Sequence, residues 1–236
     1  MGGVGTLVPV PLFEHGHKAV GEGVSGRRTD EIITRGMRVR YIEPTTEHEM
    51  VALFLRTEIR SERFSDGILS LLARDGMPRN VVEAPEPTDT RANAYRAQLL
   101  GEARGYRQQR GVFENFPADV AWYRAAISRD ELARVRYIDY SYWNELSGGS
   151  RLASCAARNI RANVVIYDVP NDRFWAAARA IRDGIAFPEL ILVGTSPDAL
   201  IVLEGHLRLT AYLLAGECVP DELPVLMGLS PDFAGW

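Results

Sequence analysis

The sequence has little cysteine and no long apolar run. Of its 236 residues only Cys155 and Cys218 are cysteine, and they do not form a C-x-x-C pair. This excludes a disulfide-rich fold and a zinc site built on paired cysteines, and it favours a reduced, cytoplasmic compartment. We expect both thiols to be small buried apolar side chains. No stretch approaches the roughly 20 apolar residues of a membrane helix, and no basic segment followed by an apolar core marks a signal peptide.

Positive charge is not in surplus either. The chain carries 27 Lys and Arg residues against 31 Asp and Glu residues, and its formal net charge is -4. A protein dedicated to duplex DNA usually has a basic surplus, so we expect no duplex DNA among its partners. Hydrophobic residues make up 46% of the chain, as in globular proteins with a buried core. The net charge does not exclude a local basic groove. A weaker hypothesis is therefore a nuclease or nucleic-acid binder.

The first half of the chain divides into two predicted regions. Residues 1–29 are rich in glycine and have no apolar period, which is typical of a flexible tail. His15 and His17 in that tail have no further candidate ligands nearby, so we expect no metal site. Residues 30–110 are predicted to be mostly helical, with one strand over 37–42 and helices over 47–59, 65–75 and 89–107. Thr46, in a capping box with Glu49, and Ser65 are expected to cap the first two of these helices.

Residues 111–236 are predicted to form an α+β domain, a small mixed sheet with helices. Strands are expected over residues 164–169, 190–193, 199–203 and 223–227, with helices over 172–182 and from Gly205 to Gly216. Aromatic residues are dense between positions 113 and 143. Their spacing favours the core of a domain junction, and a stacking surface for a base or ring is the alternative.

The junction after residues 199–203 is the strongest functional signal. An apolar strand stops at Glu204-Gly205, and a helix begins with His206 and Arg208 in its first turn. Free backbone N–H groups and the helix dipole at such a junction attract anions, most often phosphate. The alternative is an ordinary strand-to-helix turn with an exposed arginine.

A second turn has a related pattern. Gly148-Gly149-Ser150 is expected to end one helix and begin the next, with Arg151 in the first turn of the new helix. We therefore take Ser150 and Arg151 as a second candidate clamp for phosphate.

Three C-terminal segments resemble the ParB/sulfiredoxin superfamily. They are RFWAAARAIRDG followed by AFPELILVG, the motif segment LEGHLRLTAYLLAG, and ELPVLMG. The resemblance spans roughly residues 139–228 and implies the ParB/sulfiredoxin-like fold. In most members of the superfamily a Gly-x-x-Arg turn holds nucleotide phosphates. The resemblance assigns that role to Gly205 and Arg208, with Glu204, His206 and Thr210 beside them.

The resemblance also implies a reaction. It indicates a phosphotransferase or NTPase that uses ATP or CTP with Mg²⁺ and acts on a small hydroxyl substrate. Glu145 is by position the nearest counterpart of the carboxylate that acts on the hydroxyl, with Asp139 and Glu204 as rivals, and a plain surface carboxylate is the alternative. His206 is the second candidate catalytic residue.

One departure from the superfamily pattern favours a different function. Leu207 stands where the kinase-like pattern Asp-Gly-His-His-Arg has its second histidine, which removes an imidazole from the turn. The alternative is therefore a nucleotide-sensing or partner-binding regulator without catalysis. The helical half is expected to serve as a lid over the site or as the surface of a homodimer.

Overall fold

The computed structural model describes residues 39–236. The tail predicted over residues 1–29, with His15 and His17, lies outside the described residues. The described part has six strands: β1 (Arg40–Thr45), β2 (Ala121–Ser128), β3 (Arg136–Tyr137), β4 (Leu190–Gly194), β5 (Leu200–Glu204) and β6 (Glu222–Leu229). The same part has nine α-helices: α1 (Glu47–Glu58), α2 (Ser65–Arg74), α3 (Asn80–Glu83), α4 (Thr90–Arg104), α5 (Arg129–Leu132), α6 (Ser141–Leu146), α7 (Ala153–Arg161), α8 (Asp172–Arg182) and α9 (His206–Ala215).

The strands form one mixed sheet in the order β1-β2-β6-β4-β5-β3. β2 is antiparallel to β1 and β6, β4 is parallel to β6 and antiparallel to β5, and β3 is parallel to β5. Because β3 and β5 run in the same direction, the chain leaves both strands at the same edge of the sheet. That edge carries the segment that the sequence marks as a phosphate site.

Helices cover both faces of the sheet, and alternate strand residues enter two different cores. Leu190, Leu192 and Val202 pack with α6 to α9, whereas Ile191 and Val193 pack with α1 to α4. This division explains why the central strands have apolar residues at nearly every position, since both of their faces are buried. The fold is thus a mixed α+β arrangement of three layers, which confirms the predicted mixed sheet with helices.

Local signals for the helix starts are partly confirmed. Thr46 caps α1 by accepting a hydrogen bond from the backbone N–H of Glu49, and Asp89 caps α4 in the same way. Ser65 does not cap α2, because it is already inside the helix and Phe64 occupies the cap position without a side-chain bond.

The strand predicted over residues 164–169 is wrong. This segment is an exposed loop with one isolated bridge between Ile166 and Val169, and Tyr167 and Asp168 have left-handed φ values of 51° and 57°. Two consecutive left-handed residues reverse the chain and prevent an extended strand. The β-branched composition of the loop caused the error, since Val165 is 48% exposed and packs in no sheet.

The boundary predicted at residue 110 runs through a shared sheet. β1, from the first half of the chain, pairs with β2 from the second, and the described residues group into one unit by their contacts.

Cys155 is half-buried and Cys218 is exposed, so the expectation of two buried thiols is wrong. Cys218 follows the end of α9 on a short turn at the surface. No helix within residues 39–236 is long and apolar enough to cross a membrane.

Candidate functional site

The hinge, which we define as residues 204–208, joins β5 to α9. Gly205 has φ 104° and ψ 25°, a left-handed conformation that favours glycine. A Cβ atom at this position would lie 2.5 Å from Leu190 Cδ2 and 2.9 Å from Arg208 Nη2. Both its conformation and its packing therefore require glycine, and α9 begins directly after it.

Arg208 and Glu204 form an ion pair across the hinge. Arg208 Nη2 lies 3.1 Å from Glu204 Oε1, and the two side chains are 8% and 17% exposed. Burial raises the pKa of Glu204, and the charge of Arg208 acts in the opposite direction. The predicted phosphate-binding arginine is thus present at the hinge, but in this conformation it is covered and bound to a carboxylate of the same segment.

His206 is a neutral imidazole in this setting. Burial, together with the nearby charges of Arg104 and Arg208, lowers its pKa to about 3. Its ring stacks on Trp143 at a centroid distance of 5.2 Å. The Nε2 atom is buried and has no hydrogen-bond partner among residues 39–236. The predicted catalytic imidazole therefore offers a hydrogen bond, whereas gaining a proton would require strong acid.

The hydroxyl of Thr210 makes hydrogen bonds within the protein. The residue is fully buried, its hydroxyl donates to the carbonyl oxygen of His206 at 2.8 Å, and its Oγ1 lies 2.7 Å from Tyr137 Oη. These bonds link the first turn of α9 to β3. The hydroxyl predicted to bind phosphate is thus already engaged within the protein.

The second predicted clamp lies at the same sheet edge as the hinge. Arg151 Nε donates to the carbonyl oxygen of Tyr137, at the end of β3, over 2.8 Å. Its Nη2 atom is buried and has no partner in the described part of the chain. Ser150 Oγ is used locally, since it donates to Ser147 O and accepts from the backbone N–H of Leu152.

The helix position predicted for Arg151 is wrong. The residue has a left-handed φ of 60°, Leu152 takes the cap position, and α7 begins only at Ala153. Arg151 is therefore part of the turn before the helix, where its backbone N–H bonds to Ser147 Oγ rather than to a ligand.

The candidate carboxylates differ in their surroundings. Glu145 lies on the exposed side of α6. Asp139 accepts a hydrogen bond from Asn144 Nδ2 at 2.7 Å. Burial lowers the pKa of the Arg151 guanidinium, and the nearby charge of Asp139 acts in the opposite direction. Asp139, named as a rival, is thus the carboxylate associated with the second clamp.

Two further charged residues reach the hinge from the opposite helical layer. Glu58, in the last turn of α1, pairs with Arg104, in the last turn of α4, at 3.2 Å, and their side chains are 4% and 18% exposed. The charge of Arg104 acts on both Glu204 and His206. Burial raises the pKa of Glu58 to about 8 despite the nearby guanidinium.

Sequence reasoning missed this pair. A signal was present, because Glu58 follows Val51, Phe54 and Leu55 at helical spacing and so continues the apolar stripe of α1 with a carboxylate. An acidic residue on a buried helix face needs a partner, which predicts a cation on a neighbouring element. The local pattern does not show which element supplies this cation, because the contact is tertiary.

The site contains no preformed metal cluster within the described range: no group of three or more His, Cys, Asp and Glu side chains there is placed to hold an ion. Comparisons with protein-family models, with curated proteins and with solved structures found no match in any of the three.

Proposed function

We propose that the protein binds a nucleotide, ATP or CTP, through its phosphates at the hinge. The observation that carries this proposal is that two guanidiniums, the buried one of Arg208 and the half-buried one of Arg104, place their charges on the N-terminal turn of α9. Positive charge, backbone N–H groups and a neutral imidazole with an unsatisfied nitrogen are the groups that bind a phosphate at a helix start.

The charge balance of the hinge supports an anionic ligand. With a pKa of about 8, Glu58 keeps its proton at neutral pH. Arg104 and Arg208 stay charged because guanidinium does not lose its proton in proteins. The carboxylate of Glu204 is then left to balance two cations. A buried cation surplus is costly, and an anion would relieve it.

Binding requires the hinge to open. Arg208 is 8% exposed and held by Glu204, while Arg104 lies over the ring of Phe64 at 3.8 Å from its centroid. A triphosphate reaches both guanidiniums only if α1 and α4 move away from the sheet edge. This supports the lid role expected for the helical half, and it predicts that binding is slower than diffusion.

Mg²⁺ fits this proposal as an ion that arrives with the nucleotide. In nucleotide sites it is held mostly by phosphate oxygens, water and one or two carboxylates. Glu204 is the carboxylate at the hinge that would supply the protein's share.

A thermal-shift screen followed by calorimetry tests the proposal. ATP, CTP and GTP are titrated into the full chain, each with and without Mg²⁺. We expect ATP or CTP to raise the melting temperature, and we expect Arg208→Ala to weaken binding while Arg79→Ala, a change in an exposed i,i+4 ion pair, leaves it intact. Failure of all three nucleotides to bind at millimolar concentration would refute the proposal.

The second candidate function is phosphoryl transfer or NTP hydrolysis on a small hydroxyl substrate. The observation that favours it is the placement of Asp139 beside Arg151 at the end of β3, next to the parallel strand β5. A carboxylate beside a phosphate clamp is the arrangement that orients a nucleophile. The assay measures production of nucleoside diphosphate. Loss of this activity in Asp139→Asn, with activity kept in Glu145→Gln, would support phosphoryl transfer or hydrolysis with Asp139 in the catalytic role. Loss in Glu145→Gln alone would assign that role to Glu145. Absence of turnover with binding intact would favour the non-catalytic regulator.

A further inference from the structure

The Glu58–Arg104 pair joins α1 and α4, which pack in the same core as Leu203, the residue that precedes the hinge. Arg104 Nη1 lies 3.2 Å from Glu58 Oε1, and its guanidinium packs on Phe64 and, more distantly, at 5.9 Å from the ring centroid of Phe54. The aromatic rings fix the arginine on its apolar side. Its charge acts on Glu204 and His206 of the hinge, and it lowers the pKa of both groups.

Glu58 is not fully satisfied in this position. The residue is 3% exposed, and its Oε2 atom has no hydrogen-bond partner within residues 39–236. A buried carboxylate oxygen without a donor is unfavourable, and such an atom in a native protein requires an explanation. The charges that face Glu58 are Arg104 from α4, Arg63 from the connection after α1, and Glu204 from β5.

We infer that Arg104 is a second cationic ligand of the bound phosphate, beside Arg208 and the backbone N–H groups at the start of α9, and that Glu58 occupies the place beside Arg104 that a phosphate oxygen takes in the complex. This inference rests on the proposed function. Glu58 acts as an internal substitute for the ligand: its Oε1 atom occupies Nη1 of Arg104 in the closed protein and is displaced when the anion enters.

The pair gives the site a dependence on pH. Below pH 8 Glu58 is protonated and competes weakly for Arg104, and above pH 8 it is ionised and competes strongly. Phosphate binding to Arg104 should therefore weaken as Glu58 loses its proton. A residue that only supports the fold would not produce this competition.

Calorimetry on the full chain with ATP, CTP and inorganic phosphate, at pH 6.5 and pH 9, tests the inference. Arg104→Gln should weaken binding by about ten-fold or more, as expected for loss of a charge-assisted bond. Glu58→Gln should bind like the wild type at pH 6.5 and about five-fold more tightly than the wild type at pH 9. Because the variant and the wild type are compared at the same pH, the protonation of the phosphate affects both affinities equally.

Arg74→Gln is the matched control, because Arg74 also ends a helix of the same layer but is 53% exposed and pairs at the surface with Asp75 and Glu102. It should change binding less than two-fold. If Arg104→Gln leaves Glu58 unpaired and does not fold, the double variant Glu58→Gln/Arg104→Gln, which carries no charge at the pair, replaces it and should bind equally weakly.

The outcomes separate this inference from the proposed function. No binding by the wild-type chain overturns both. Wild-type binding that depends on Arg208 but not on Arg104 overturns the inference and leaves a proposed function that rests on Arg208 and the start of α9 alone. A Glu58→Gln variant that does not bind more tightly at pH 9 overturns the inference without touching the proposed function.

Discussion

Replacing Glu58 with glutamine should change the pH dependence of stability in a defined direction. The carboxyl pKa is about 8 in the folded protein, against an ordinary value of 4.5, because burial penalises the charged form. The folded state therefore holds one more proton than the unfolded state between these values. Stability that is present below pH 4.5 is lost as the pH rises toward 8, and the loss is complete above it.

The magnitude follows from the difference between the two pKa values. They differ by about 3.5, and each pH unit corresponds to about 1.4 kcal/mol, so the loss amounts to roughly 5 kcal/mol at most. This is comparable to the whole stability of many domains. Glutamine has nearly the same shape as glutamate and does not titrate. Glu58→Gln should therefore lose none of this stability between pH 4.5 and 8.

His206 provides an internal check because its shift has the opposite sign. With a pKa lowered from 6.5 to about 3, its contribution is present above pH 6.5 and is lost as the pH falls. The two effects oppose each other between pH 4.5 and 6.5, whereas Glu58 dominates between 6.5 and 8.

Urea unfolding followed by circular dichroism, at intervals from pH 5 to 9, measures the effect. The free energy of unfolding of Glu58→Gln minus that of the wild type should rise steadily between pH 5 and 8 and then level off. A difference that stays constant across this range would show that Glu58 titrates normally, and it would refute the description of a carboxyl buried at the end of α1.

Three other changes address the hinge and the bond that joins α9 to β3. Gly205→Ala should cost about 2–4 kcal/mol of stability in urea unfolding, because it combines a left-handed φ with a contact of 2.5 Å to Leu190, and a loss below 1 kcal/mol would contradict the packing described. Tyr137→Phe should cost about 1 kcal/mol by removing the bond to Thr210, whereas Tyr140→Phe, at a ring that is 52% exposed, should cost almost nothing in the same assay. Arg208→Ala should weaken ATP or CTP binding by about 1.5–3 kcal/mol in calorimetry, and unchanged affinity would place the ligand elsewhere.

The sequence predicted those parts of the fold in which local pattern and tertiary packing agree. The apolar runs of β4 and β5 predict central strands because both faces of these strands are buried. The glycine directly before α9 predicts the position of the hinge. Residues 164–169 have the same β-branched composition, but the left-handed residues Tyr167 and Asp168 turn the chain back before a strand can form. Composition alone does not reveal that conformation.

The candidate site was predicted in its local part and missed in its long-range part. Glu204, Gly205, His206 and Arg208 are consecutive or nearly so, and their proximity follows from one short motif. Their burial does not, because the residues that pack on them, such as Leu190 against Gly205 and Trp143 against His206, belong to other elements of the chain. Glu58 and Arg104 meet only after both helices have packed on the sheet, so the helical period of α1 indicates that Glu58 is buried but does not identify Arg104 as its partner.

The sharing of one sheet by both halves of the chain has a consequence for folding. Ile191, Val193 and Leu203 are covered by α1 to α4, so a fragment starting at residue 111 would present a broad apolar sheet face to water. The described residues are accordingly expected to unfold in a single cooperative transition, and the second half, separated from the first, to aggregate before it could serve as an independent unit.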